Sequence, residues 1–377
     1  MFKNIILPAS LLAGTIIGAG IFALPYIFEK AGILTGLFYL IIFSGVFALI
    51  HLMYADIIVR TKENHRFPGY AGIYLGKAGE GLAILITIAG MIFALTTYLV
   101  LSVSFFNLIF SGIILLDIYK ILIFWLLSSL AIFIGVNRLA LSEFLIVVGI
   151  AAVIFVVLCY GLANFERVIS APLLNLSYVF LPYGAILFSF SGRTAIPTVV
   201  GYFRKNNQPQ IKSKTPIILG SLIPALIYLV FIFGIISLSG TVSEDSVSGL
   251  IGHLPPFVLL LLGILGIISL FSSHIMIGRN AKKSLEHDLG FPQILAGLVV
   301  VVFPLLLYLL GFQNFLELVG LVGGIFVGLA GIFIILMWLK ARKTEAGRGV
   351  IIKKINPLVI YGLLLVFIGG VIYAIIQ

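Results

Sequence analysis

Arg193 lies in the stretch "SFSGRTAIPTVV", residues 189–200, where a glycine, a permanent cation and a proline fall within six positions of an otherwise apolar run. A guanidinium does not deprotonate in a protein, so it cannot carry a proton and offers instead a fixed charge with planar donors. It can clamp a carboxylate, stand in for a cation, or cap the carbonyls left by a broken helix. Ser269, Ser272 and Ser273 have i, i+3, i+4 spacing, which sets three hydroxyls on one helical face, either around a ligand or bonded back to their own helix. His274, beside them, and His51 are proton-relay candidates, because ionisable groups within apolar runs mark such paths. Asp56 stands four residues before Arg60, the spacing of an ordinary helical ion pair. Tyr98, in "LTTYLV", brings a hydroxyl to the middle of another apolar run, for a substrate or for helix packing. No nucleophile with a base is evident: Ser273 and His274 are adjacent and point about 100° apart on a helix. The single Cys159 supports neither a disulfide framework nor a thiolate cluster.

The elements that must position these residues are membrane helices. Of the 377 residues, 62% are hydrophobic and 10% charged, and the mean hydropathy is +1.26. Runs of about 20 apolar residues recur from end to end, leaving no soluble domain. The N-terminus is read as a retained, broken span rather than a signal peptide. Eleven spans are expected, near 5–28, 32–59, 81–108, 118–136, 139–161, 177–203, 215–239, 256–279, 291–311, 315–339 and 357–376. With the N-terminus in the cytoplasm, nineteen of the 23 basic residues fall on the cytoplasmic side, among them Arg138, Arg348 and Lys353. Only Lys30, Lys120 and Arg167 fall outside, and Arg193 alone is inside a span. The net charge of +10 is therefore topological and does not point to nucleic acid. The cytoplasmic segment at 61–80 reads as an interfacial helix or a plain loop.

"GTIIGAGIFALP", residues 14–25, repeats the pattern around Arg193. Gly20, Ala23, Leu24 and Pro25 match Gly192, Ala195, Ile196 and Pro197, and of the 14 prolines only these two have Gly five before and Ala two before. Each copy opens a set of five spans. Because five is odd, the two sets, about 5–161 and 177–340, lie with opposite orientation, and the helix at 357–376 stands outside the repeat. Paired Gly/Pro-interrupted segments at matching places in two halves point to a transport site near the bilayer midplane. Freed backbone groups are tolerable there only beside a cavity, where N–H groups suit a carboxylate and carbonyls suit an ammonium or a metal cation.

The chain resembles the amino acid/polyamine/organocation transporter superfamily, and within it the aromatic (hydroxy/aromatic) amino acid permease family. The likeness rests on "ILPASLLAGTIIGAGIFALPYIFEKAG", "LPYGAILFSFSGRTAIPTVV" and "SSHIMIGRNAKKSLEHDLGFP". It implies an all-α polytopic membrane protein, a single transporter domain with a five-plus-five inverted repeat (LeuT-like fold) and discontinuous helices 1 and 6. It places the substrate carboxylate at the N–H groups around Gly18, Ala19 and Gly20. The ammonium would meet carbonyls near Ile16 and, across the site, near Ser189 and Phe190, with Gly192, Arg193 and Tyr98 completing the pocket. In sodium-coupled transporters of similar fold, first-span carbonyls join eighth-span hydroxyls around the ion, which here implicates Gly14, Ile17, Ser269, Ser272 and Ser273. Relatives usually have an apolar or aromatic residue where Arg193 stands and an acidic one where Thr198 stands, so substrate and coupling are not simply inherited.

The sequence thus leads to a secondary amino-acid transporter, a cation symporter driven by sodium or protons, whose substrate is aromatic or hydrophobic. A membrane receptor that senses an amino acid on the same fold is the second reading. No cofactor and no obligatory protein partner are expected; the partners are a small amino acid and the lipid bilayer. The expected location is the cell (plasma or inner) membrane, N-terminus cytoplasmic and C-terminus outside.

Overall fold

The computed structural model describes residues 1–110, 116–134, 140–239, 241–344, 350–352 and 354–376; Arg138, Arg348 and Lys353 lie outside them. All regular structure among the described residues is helical. Eight helices are long and apolar enough to cross a bilayer: Ile33–Arg60, Phe67–Ile109, Asp117–Ile134, Ala140–Asn164, Gln210–Leu238, Pro256–Asp288, Phe315–Thr344 and Pro357–Ile376. The first span is a pair, Phe2–Ile16 and Ala19–Ala31, bent by 50° at its break. The sixth is cut into Pro182–Ser189 and Ile196–Lys205. The ninth, Gln293–Leu309, has 17 residues. At 1.5 Å per residue it covers about 25 Å, the lower end of what a span needs.

Both breaks follow from the same local chemistry. Ile17 and Gly18 leave helical geometry, the Gly18 N–H turns to the Ile16 carbonyl, and a 3₁₀ turn over Ala19–Ala23 leads into the helix Leu24–Ala31. In the sixth span Phe190 and Gly192 leave the helix, and a 3₁₀ turn over Arg193–Ala195 leads into Ile196–Lys205. Pro25 and Pro197 are each the second residue of the helix that restarts. There a missing N–H costs nothing and the fixed φ favours the first turn.

These two broken spans form the centre. Every residue from 8 to 25 is buried, as expected of a helix that is apolar all round. The first span packs on the fifth and seventh, the third on the eighth, and the sixth on the tenth. At the periphery, large apolar side chains such as Phe38 and Leu130 remain exposed, a surface suited to lipid. The segment at 61–80 holds a helix from Phe67 that turns into the third span at Gly76, whose φ of 79° is costly for any residue with a Cβ.

Asp56 ties the vestibular end of the second span to the rest of the bundle. Fully buried, it accepts from Arg60 Nε (2.8 Å), from Trp338 Nε1 (2.9 Å) and from the Ile351 N–H (2.7 Å). It is the ion pair that its spacing indicates, and it also joins the tenth span to the segment that follows it. Asp56→Ala takes the acceptor from three buried donors. It is expected to destabilise the protein by about 3–5 kcal/mol, read as a lowered Tm of the detergent-solubilised protein.

Candidate substrate and cation site

The two breaks meet at a close crossing. A Cβ on Gly20 would lie 2.5 Å from the Ser189 Cα, so only glycine lets the backbones approach in this way. Ser189 Oγ lies 2.8 Å from the Gly20 carbonyl and 2.7 Å from that of Ala185. The Tyr228 hydroxyl, from the seventh span, reaches the Ile16 carbonyl (2.8 Å) and the Ser189 carbonyl (2.7 Å) together. These are the carbonyls that the sequence reading assigns to the substrate ammonium. In this structure a protein hydroxyl already spans them, and nothing in the type or spacing of Tyr228 announces it.

A cavity of about 90 Å³ opens beside this crossing. Ile16, Gly18, Gly20, Tyr98 and Arg193 line it, together with Ser191 and Thr194. The Tyr98 hydroxyl packs against Gly18. Ala19, Ser189 and Phe190 do not line the cavity; they are buried in the crossing itself. Gly192 also stands outside the cavity lining, against Leu12 and Ile16. The remaining walls were not singled out from sequence: Phe47 of the second span, Phe188 of the sixth, Phe326 of the tenth and Phe367 of the last. Phe326 belongs to a π-helical turn over Val322–Val327, a local widening that often accompanies function.

Arg193 stands at the passage from this cavity to a vestibule of about 940 Å³; Met91 and Thr194 line both as well. Its guanidinium carbon lies 4.0 Å from the centroid of Phe67, a cation–π contact. Among the described residues its one hydrogen-bond partner is Thr87 Oγ1, at 3.4 Å from Nη1. The other N–H donors therefore remain for the cavity, and no carbonyl of the sixth-span break receives one. The vestibule is basic, with His65, Arg66, Arg204, Lys205, Lys283 and His287 around it and Asp288 as the acidic exception. Burial lowers the pKa of Arg66 from its ordinary value, opposed by nearby Asp288, and its Nη1 donates to Asn280 Oδ1 (3.0 Å). On the other side of the breaks, Phe22 packs edge-on against Phe105 and Phe231, with centroids at 4.8 and 5.4 Å.

The three serines of the eighth span separate by function of place. Ser269 Oγ donates to the Ile17 carbonyl (3.3 Å), and Ser272 Oγ donates to Glu143 Oε1 (3.0 Å). Ser273 Oγ has no hydrogen-bond partner among the described residues and lies toward Gly18. Glu143, a buried acid in the fifth span, is the residue that sequence reasoning missed. An ionisable side chain inside the run "ALSEFLIVV" was the available signal. Its Oε2 lies 2.5 Å from where a Cβ on Gly14 would be, so the glycine makes room for the carboxylate. His274 is not in the lining of either cavity; its ring is stacked on Phe124 at 5.4 Å, and its Nδ1 has no partner among the described residues. His51 lines the cavity, with Nδ1 2.9 Å from Ser221 Oγ.

Two broken helices crossing beside a central cavity, within a bundle of apolar spans, define a LeuT-like membrane transporter rather than an enzyme. Among the solved structures that share this architecture are the following two. One is Mhp1, a nucleobase-cation-symport-1 family transporter in a closed conformation with bromovinylhydantoin bound (TM-score 0.67, 15% identity, 98% of this chain and 90% of that one). The other is MhsT in complex with L-phenylalanine (TM-score 0.61, 15% identity, 98% and 97%). At that identity the likeness establishes the fold.

The tryptophan/tyrosine permease family model matches residues 1–377, and the chain belongs to that family. It is also similar to "Glutamine transporter 2" of Aliivibrio fischeri (strain ATCC 700601 / ES114), 22% identical over 352 residues, 89% of each chain. The protein is an amino-acid transporter.

If the Tyr228 hydroxyl holds the two breaks together, Tyr228→Phe should cost about 1 kcal/mol of stability. Its clearer effect should be a substrate affinity altered several-fold, read by ligand-dependent thermal shift.

Proposed function

We propose that the protein is a secondary active symporter that moves an amino acid with an aromatic or hydrophobic side chain together with a cation, by alternating access, across the cell membrane. The observation that carries this reading is the matched pair of breaks: each exposes unwound backbone to the same cavity. The repeats run from about 5 to 161 and from about 177 to 340, with 357–376 added outside them. The N-terminus is cytoplasmic and the C-terminus extracytoplasmic. In that orientation the basic vestibule opens to the cytoplasm while the cluster around Phe22 closes the opposite side. Phe47, Phe188, Phe326 and Phe367 supply the apolar walls that favour an aromatic substrate.

Arg193, aimed from the sixth-span break into the passage, receives the substrate carboxylate. A charge-assisted bond to a carboxylate contributes about 1.5–3 kcal/mol, so Arg193→Ala is expected to weaken substrate binding about tenfold or more. Unchanged affinity in a less stable variant would assign the arginine to packing on Phe67 instead.

The coupling cation, sodium or a proton, belongs at the meeting of the first, fifth and eighth spans. The Gly14 and Ile17 carbonyls, the hydroxyls of Ser269, Ser272 and Ser273, and the Glu143 carboxylate are all hard oxygen groups of the kind that hold sodium, while the carboxylate alone can take a proton. Protein reconstituted in liposomes should accumulate labelled amino acid under one of two separately imposed gradients, sodium or proton. Binding without accumulation under either would make the protein a receptor. Glu143→Gln is expected to bind substrate but to lose most gradient-driven accumulation, and wild-type accumulation in that variant would remove Glu143 from coupling.

A further inference from the structure

We infer that His51 selects the substrate side chain, its Nε2 accepting a hydrogen bond from the N–H or O–H of an aromatic ring such as an indole or a phenol. This rests on the reading above, in which the cavity beside the two breaks is the amino-acid site.

The argument begins with one hydrogen. Ser221 Oγ lies 2.8 Å from the Ile217 carbonyl and 2.9 Å from His51 Nδ1, and the serine has a single proton to give. If that proton went to Nδ1, the imidazole proton would sit on Nε2, a buried donor with nothing to bond. If it goes to Ile217, Nδ1–H donates to Ser221 and both short contacts become hydrogen bonds. Two bonds against one select the Nδ1–H tautomer.

Nε2 is then a bare acceptor. It has no partner among the described residues, and His51 is 1% exposed while lining the cavity. The other polar groups there do not duplicate it. Arg193 only donates, and the Thr15, Tyr98, Ser191 and Thr194 hydroxyls can each donate as well as accept, whereas Nε2 in this tautomer can only accept. Beside His51, the Phe47 ring packs at 5.7 Å from the imidazole, and Phe188, Phe326 and Phe367 extend the aromatic wall. A side chain that fills this space and turns a donor to Nε2 meets ring faces and an unused lone pair. A ring bearing a donor satisfies both, whereas a phenyl ring leaves the lone pair unmet.

A site built to hydrogen-bond a substrate group rejects the analogue lacking it far more strongly than a pocket rejects a change of one methylene. Binding to the purified protein should be measured with L-tryptophan, L-tyrosine, L-phenylalanine and 1-methyl-L-tryptophan, which keeps the indole but has no N–H. In the wild type, phenylalanine and 1-methyltryptophan are expected to bind at least about tenfold more weakly than the better of tryptophan and tyrosine. His51→Phe should bring these ratios to within about threefold while leaving phenylalanine affinity near its wild-type value, which also reports folding. Ser221→Ala leaves the imidazole in place but removes what holds its proton on Nδ1, and it too should erode the discrimination. This milder change decides the matter if His51→Phe fails to fold. Wild-type protein that does not discriminate, or ratios unchanged in both variants, overturns the role of His51 while the cavity remains the amino-acid site. Wild-type protein that binds none of the four overturns the reading of the cavity itself.

Discussion

Opening a helix inside a membrane leaves backbone N–H and C=O groups that lipid cannot satisfy, and the rest of this architecture depends on how those groups are met. Here the two open places are laid against each other. The Ser189 hydroxyl of the sixth span lies within reach of the Gly20 carbonyl of the first, and the Tyr228 hydroxyl of the seventh stands between the Ile16 and Ser189 carbonyls with one proton to give. The groups that remain face the cavity. Gly18, Gly20 and Arg193 are left at the cavity wall.

The charges are arranged by the same economy. Asp56 is surrounded by donors from three parts of the chain, and its burial makes it a joint of the scaffold. Arg193 is treated in the opposite way. Phe67 supports its face, Thr87 takes one long contact, and its remaining donors are left open at the boundary between a narrow cavity and a basic vestibule. A guanidinium within a membrane span is costly, and the cation–π contact with Phe67 offsets part of that cost. Glu143 brings a carboxyl group to the far side of the first span, where Gly14 leaves room for it and Ser272 donates to it.

Much of this was legible in order of residues. The breaks were, because the pattern of Gly20 with Pro25 and Gly192 with Pro197 marks them: the chain leaves the helix by Gly18 and by Gly192, and the proline restarts it, whatever surrounds them. Asp56 with Arg60 was, because four residues along a helix is itself a contact. Tyr228 was not, since a tyrosine in an apolar run declares nothing about which carbonyl it reaches from another helix. Phe326 was not, because its place depends on a π turn that shifts its direction away from regular spacing. Glu143 carried a signal that was overlooked, a lone acid in the fifth span.

By itself, then, the sequence determined the class of the spans, the two places where helices open, and the presence of a permanent charge between them. These are consequences of hydropathy and of the φ restrictions of glycine and proline, which are properties of short stretches. The tertiary structure alone decided what each opened group meets. It set Tyr228 across two helix ends, turned Arg193 onto Phe67, brought Glu143 to Gly14 and placed Ser221 so that the His51 proton stays on Nδ1. Hydrogen bonds and charges act over a few ångströms, and only the packing of distant spans brings their partners within that range.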